Sequence, residues 1–153
     1  MKKVLLSLIV VCAFGLQDAN AQAQKYMNFG GLGTGLYFGM EFPVAAPITL
    51  GFHASTNYDF NNFYVAGKGN YYFDELFPLP SEWDFYAGLN LGWRIDGNDN
   101  KNGNDGFSFG GQVGGRWFWS DRWGINGEFG WGNGALGGVG VTMKMCCFYT
   151  LRI

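Results

Sequence analysis

The stretch that decides the fold is Asp84-Phe85-Tyr86-Ala87-Gly88-Leu89-Asn90-Leu91-Gly92-Trp93-Arg94-Ile95. Large apolar residues alternate in it with small or polar ones. Successive side chains of a β-strand point to opposite faces, so Phe85, Leu89 and Leu91 share one face while Tyr86 and Arg94 share the other. The alternation predicts a two-faced strand.

The same alternation occurs in seven further runs, bounded by turn residues such as Gly, Pro, Asn and Asp. These runs are 26–32, 35–42, 48–58, 63–73, 107–119, 125–131 and 138–145. If residues 28–42 formed one continuous strand, the count would be seven, an odd number that single-chain bacterial barrels avoid. We therefore expect an all-β fold, an eight-stranded antiparallel up-and-down transmembrane β-barrel.

The two faces decide between a soluble barrel and a membrane barrel. The apolar face is large and aromatic, whereas the other face is mostly Gly, Ser, Thr and Asn with a few tyrosines and isolated charges. Small residues suit the narrow interior of an eight-stranded barrel, so we predict that the polar face points inward. Inward charges need partners, so we predict an interior polar network. Its predicted members are Glu41, His53, Lys68, Asp84, Tyr86, Arg94, Arg116, Glu128 and Lys144.

The tryptophans fall near the ends of the predicted strands. Amphipathic rings at those positions form girdles at the two membrane interfaces. The predicted girdle residues are Trp83, Trp93, Trp117, Trp119, Trp123 and Trp131.

The first residues resemble a secretory signal. Lys2 and Lys3 precede an apolar run over 4–16, and Ala19-Asn20-Ala21 offers a cleavage site between Ala21 and Gln22, with a second site two residues on. The run is shorter than the roughly 20 residues of a membrane-spanning helix. We expect a signal peptide over 1–21, a barrel over 22–145, an atypical extension over 146–153, and residence in the cell outer membrane.

Composition excludes one class of partner. Only 14% of residues are charged, and the formal net charge is −2, so no basic surface for nucleic acid is expected. Glycine, at 26 residues, and aromatics, at 19%, are high. Cys146 and Cys147 are adjacent and indicate no disulfide framework.

The chain resembles the small outer-membrane β-barrel family that includes OmpX-type and opacity-type proteins. The resemblance covers nearly all of the mature chain and is carried by 68–73, 83–92 and 114–121. The resemblance implies the fold, but it does not imply a particular activity. Gly140, Met143 and Met145 are similar to the final-strand signal that barrel-assembly machinery reads, although Cys146–Ile153 continues beyond it.

Candidate chemistry is weak. His53-Ala54-Ser55 resembles the His-x-Ser pair of lipid A deacylases, but it faces inward and the strand over 63–73 offers no acid to complete a triad. The loop from Asp96 has Lys101 and Phe107 where a calcium loop needs Gly and Glu. We expect no enzyme activity, no cofactor and no metal.

The expected function is a structural or surface-interaction role in the cell envelope. Partners would be outer-membrane lipid, the assembly machinery and an extracellular partner of the loop 96–106. Two alternatives remain open: a narrow pore for small solutes, and lipid A modification. With periplasmic termini, turns near 43–47, 74–84 and 120–122 face the periplasm, and those near 57–62, 96–106 and 132–135 face outward.

Overall fold

A computed structural model describes residues 24–32, 35–73, 76–77, 79–97, 106–132 and 137–145. These residues form eight strands. The strands are β1 (Lys25–Leu32), β2 (Gly35–Ala45), β3 (Ile48–Asn57), β4 (Asn62–Tyr72), β5 (Trp83–Asp96), β6 (Gly106–Phe118), β7 (Trp123–Gly132) and β8 (Gly138–Met145).

The strands close into a barrel in which each pairs with its sequence neighbours and β8 returns to pair with β1. Every pairing is antiparallel, and the β1–β8 seam runs from Lys25↔Met145 to Gly30↔Gly140. The predicted closed eight-stranded antiparallel barrel is confirmed. The seven-strand alternative is wrong, because β1 and β2 form a hairpin in which Phe29 lies opposite Phe38.

The alternation of faces continues around the whole wall. In β4, Tyr64, Ala66, Lys68, Asn70 and Tyr72 are buried, and the residues between them are exposed or half-buried. The described interior is mostly polar, because 13 buried residues are polar or charged and four of the six buried hydrophobic ones are tyrosines. Large apolar side chains cover the outside.

We call the end of the barrel that carries Lys25 and Met145 the termini end, and the opposite end the loop end. At the termini end, β6 stops at Phe118, so Trp119 lies beyond the strand. Just after β4, at the same end, the Phe73 carbonyl accepts hydrogen bonds from the Leu76 and Phe77 amides at 2.9 and 3.1 Å.

The final strand, β8, carries the three residues that are similar to an assembly signal. Met143 and Met145 are half-buried on the outward face, and Gly140 faces inward opposite Gly30. A Cβ at Gly140 would collide with the Phe29 carbonyl and the Tyr37 hydroxyl, so glycine is needed where these two strands approach.

Several predictions lie outside the described residues. These are the signal peptide over 1–21 with its cleavage at Ala21 and Gln22, the turn at 33–34, most of the loop 96–106, the turn at 133–135 and the extension over 146–153. In the part that is described, no helix is long and apolar enough to cross a membrane.

Candidate functional site: the charged barrel interior

Glu41 on β2 is the centre of the interior, and none of its surface is exposed. Its two carboxylate oxygens accept hydrogen bonds from six side chains, which come from four other strands. These are Asn28 at 3.0 Å, Thr49 at 3.3 Å, Lys68 at 3.2 Å, Asn70 at 3.0 Å, Tyr72 at 2.7 Å and Arg116 at 2.5 Å. A buried carboxylate persists only with such compensation, since burying a charge unpaired is costly.

Arg116 on β6 provides the main countercharge, and its side chain is also fully buried. One Nη donates to Glu41, the other donates to the Tyr72 hydroxyl, and Nε donates to Asn28 at 3.4 Å. The guanidinium lies 4.3 Å from the ring centroid of Tyr26 and 4.6 Å from that of Tyr86. Ring faces attract cations, so cation–π contacts as well as the ion pair hold Arg116 in place.

A second ion pair extends the cluster across the lumen. Lys68 Nζ lies 3.2 Å from Glu41 and donates to Glu128 on β7 at 2.9 Å. The Tyr86 hydroxyl donates to the same Glu128 oxygen at 2.7 Å. Two carboxylates therefore face two cations, and this four-residue cluster carries no net formal charge.

A chain of neutral hydrogen bonds runs from the loop end down to Glu41. Tyr64 donates to Asn90 at 3.0 Å, Asn90 donates to Gln112 at 2.6 Å, and Gln112 donates to Asn70 at 2.9 Å. Asn70 then donates to Glu41, so every donor in the chain points toward the carboxylate. Such aligned bonds polarise one another and strengthen the network.

His53 lies above the ion pairs, 6% exposed, with its ring stacked on Tyr37 at a centroid distance of 5.6 Å. The Tyr37 hydroxyl accepts a bond from Asn126 at 2.9 Å. A cavity of about 10 Å³ beside these residues has room for about one water molecule. Ser55 shares the inward face of β3 with His53.

The nine residues predicted for the interior divide into two groups. Five of them lie together: the four charged residues of the cluster, Glu41, Lys68, Arg116 and Glu128, and Tyr86, which donates to Glu128. The other four lie elsewhere on the inward face. Asp84 accepts from Tyr26 at 2.8 Å, His53 stacks on Tyr37, Lys144 lies 3.8 Å from the Phe118 ring centroid, and Arg94 is half-buried toward the loop end.

Sequence reasoning missed the neutral members of the network. Tyr26 and Asn28 hold Arg116 from β1, and Thr142 on β8 donates to Asn28 at 2.7 Å. The Tyr72 hydroxyl bridges Arg116 and Glu41, and the Gln112 amide bridges Asn90 and Asn70. The alternation along each strand indicates which residues point inward, but it does not tell which inward residues meet across the lumen.

The outward face carries the predicted girdle tryptophans, each of which is at least 37% exposed. Trp83, Trp117, Trp119 and Trp123 lie at the termini end, whereas Trp93 and Trp131 lie toward the loop end. Trp83 and Trp117 are directly paired across β5 and β6, with ring centroids 6.3 Å apart.

The interior is a filled polar core, bonded across all eight strands. Among the described residues, no group of three or more His, Cys, Asp or Glu side chains could hold a metal ion. Comparison of the chain with protein-family models, curated proteins and solved structures finds no match.

Proposed function

We propose that the protein is an integral outer-membrane β-barrel with a plugged lumen and a structural or surface-interaction role in the cell envelope. The observation that carries this proposal is the inverted distribution of polarity. Thirty large hydrophobic side chains of the described part are exposed, while charged and amide side chains fill the interior. Water would be a poor solvent for this outer surface, because soluble monomers rarely expose large contiguous apolar patches.

The extent of the apolar belt supports a bilayer setting. Exposed large hydrophobic residues come from all eight strands, for example Phe29 on β1, Leu50 on β3, Leu89 on β5 and Val139 on β8, so the belt surrounds the barrel. A closed barrel also leaves no unpaired strand edge in hydrocarbon. The tryptophans toward both ends fit the interfacial girdles of membrane barrels.

The packed interior supports a plugged lumen rather than an open pore. Glu41 and Arg116 lie across the lumen from one another and bind each other at 2.5 Å, with tyrosine rings around them. A solute would have to break these buried ion pairs to pass. Interaction with a partner would then take place at the loop end, where β5 ends at Asp96 and β6 begins at Gly106.

The test is cell fractionation of the full chain expressed in a Gram-negative host. The proposal predicts a product that begins at Gln22 by mass spectrometry and lies in the outer-membrane fraction. It also predicts a gel mobility that differs before and after boiling, because a folded barrel resists detergent. A folded product that stays in the soluble periplasmic fraction would contradict the proposal.

A further inference from the structure

Asn126 on β7 has one polar atom without a partner inside the barrel. The residue is 3% exposed, and its Nδ2 donates to the Tyr37 hydroxyl at 2.9 Å. Its Oδ1 is buried and accepts no hydrogen bond from any residue that the structure describes. A buried acceptor is costly to leave unpaired, so this oxygen indicates a donor from outside the described chain.

The small cavity beside His53 is lined by Asn126, and we call it the Asn126 cavity. Its lining also includes Tyr37, Lys68 and Glu128. Its volume of about 10 Å³ is close to the least that holds one water molecule, and a buried water also needs polar groups around it. The Asn126 cavity meets both conditions.

Tyr37 fixes the amide of Asn126 beside this cavity. The Tyr37 ring is stacked on His53 with an interplanar angle of 15°. On the opposite side, a Cβ at Gly30 or Gly138 would lie 3.1 or 3.0 Å from Tyr37 Cε1, so the ring lies close against both glycines. The hydroxyl is thereby held where it meets the amide. A half-turn of the amide would leave Nδ2 unpaired instead of Oδ1, and a water molecule satisfies either atom.

The charges and the size of the cavity select a neutral, single-atom ligand. The two cations of the charged cluster already balance its two carboxylates, so a further cation would leave a buried net charge. An organic molecule does not fit in about 10 Å³. Lys68 has three N–H donors and two carboxylate partners, so it can donate once more. Water accepts from such a donor and also donates to an amide oxygen.

We propose that the Asn126 cavity binds a single water molecule, which donates a hydrogen bond to Asn126 Oδ1 and accepts one from Lys68. The water makes Asn126 and Tyr37 part of the charged network. The site depends on the packed interior alone, so it does not rest on the proposed membrane location.

The experiment is NMR spectroscopy of the full-length protein, labelled with isotopic asparagine and folded in detergent micelles. Asn126→Leu, an apolar replacement of similar size, identifies the side-chain amide signal of Asn126 by its loss. In the wild type, water should give a nuclear Overhauser effect to the Asn126 amide protons. A wild type without this effect would overturn the water site.

Gly39→Ala tests whether the water lies in the cavity. Gly39 lines it, and the nearest atoms to an added Cβ would be the Phe52 carbonyl oxygen at 3.1 Å and His53 atoms at 3.9 Å. The methyl group takes the space of the water, so the Overhauser effect should be lost while the Asn126 signal remains. The matched control is Gly67→Ala on the outward face of β4, where a Cβ would meet only the Gly51 carbonyl at 4.0 Å. This variant should keep the effect.

Tyr37→Phe separates a bound water from the Tyr37 hydroxyl proton, which exchanges with solvent and transfers the same signal. The effect should persist in this variant, because the water still donates to Asn126. Its loss in Tyr37→Phe, or its persistence in Gly39→Ala, would overturn the water site. Cell fractionation tests the membrane location separately, so the two proposals can fail independently.

Discussion

Replacement of Glu41 by Gln tests the interior most sharply. The substitution keeps the shape of the side chain but removes the charge that balances Arg116 and Lys68, at 2.5 and 3.2 Å. It also leaves one acceptor oxygen where six donors converge. Breaking a buried ion pair on one side costs about 3–5 kcal/mol, and we expect a loss of folding free energy in this range.

The assay is urea unfolding in phosphatidylcholine vesicles, followed by tryptophan fluorescence. Glu82→Gln, an exposed carboxylate in the connection before β5, is the matched control and should change stability by less than about 0.5 kcal/mol. The double variant Glu41→Gln with Arg116→Met removes both charges. Its destabilisation should be smaller than the sum of the two single variants by about 1–3 kcal/mol. If Glu41→Gln were as stable as Glu82→Gln, the proposed role of the charged cluster would be wrong.

Three further predictions follow from the same geometry. Arg116→Lys keeps the charge but loses the guanidinium that lies close to the rings of Tyr26 and Tyr86, so the barrel should be less stable by about 1–3 kcal/mol in the same urea titration. Full stability of this variant would argue against a stabilising contact between the guanidinium and the rings. Leu89→Arg places a charge midway along β5 and should cost about 2–4 kcal/mol of insertion free energy. Tyr58→Arg, at the loop end, should cost at most about 1 kcal/mol. Equal costs of the two variants would be inconsistent with a membrane-embedded belt. In planar bilayers the wild type should show no steady conductance. Joint replacement of Glu41, Lys68, Arg116 and Glu128 by Ala should produce discrete current steps. Discrete current steps in the wild type would favour a pore.

The strands and their two faces could be predicted because a period of two residues is visible in sequence. The predicted run 84–95 lies within strand β5, which begins one residue earlier, at Trp83, and ends one residue later, at Asp96. Turn residues separate each run from the next, which was enough to predict eight strands. The barrel could be predicted because eight alternating strands, each with one apolar and one polar face, fit a closed barrel.

The meeting of particular side chains could not be predicted. Arg116 and Glu41 are 75 residues apart in sequence, and their contact depends on the tilt and register of strands that are not neighbours. Lys144 and Arg94 have inward parity like Glu41, but they lie outside the ion-pair cluster. Tyr26 and Asn28 were missed because a short first strand gives a weak pattern.

The central claim is that hydrocarbon solvates the outside of the barrel. Its most direct test is flotation of the purified mature protein in a density gradient, after mixing with phosphatidylcholine vesicles and washing with urea. The account predicts that the protein floats with the vesicles and keeps the gel mobility of a folded barrel until it is boiled. A folded, monodisperse protein that remains at the bottom of the gradient without lipid or detergent would contradict it.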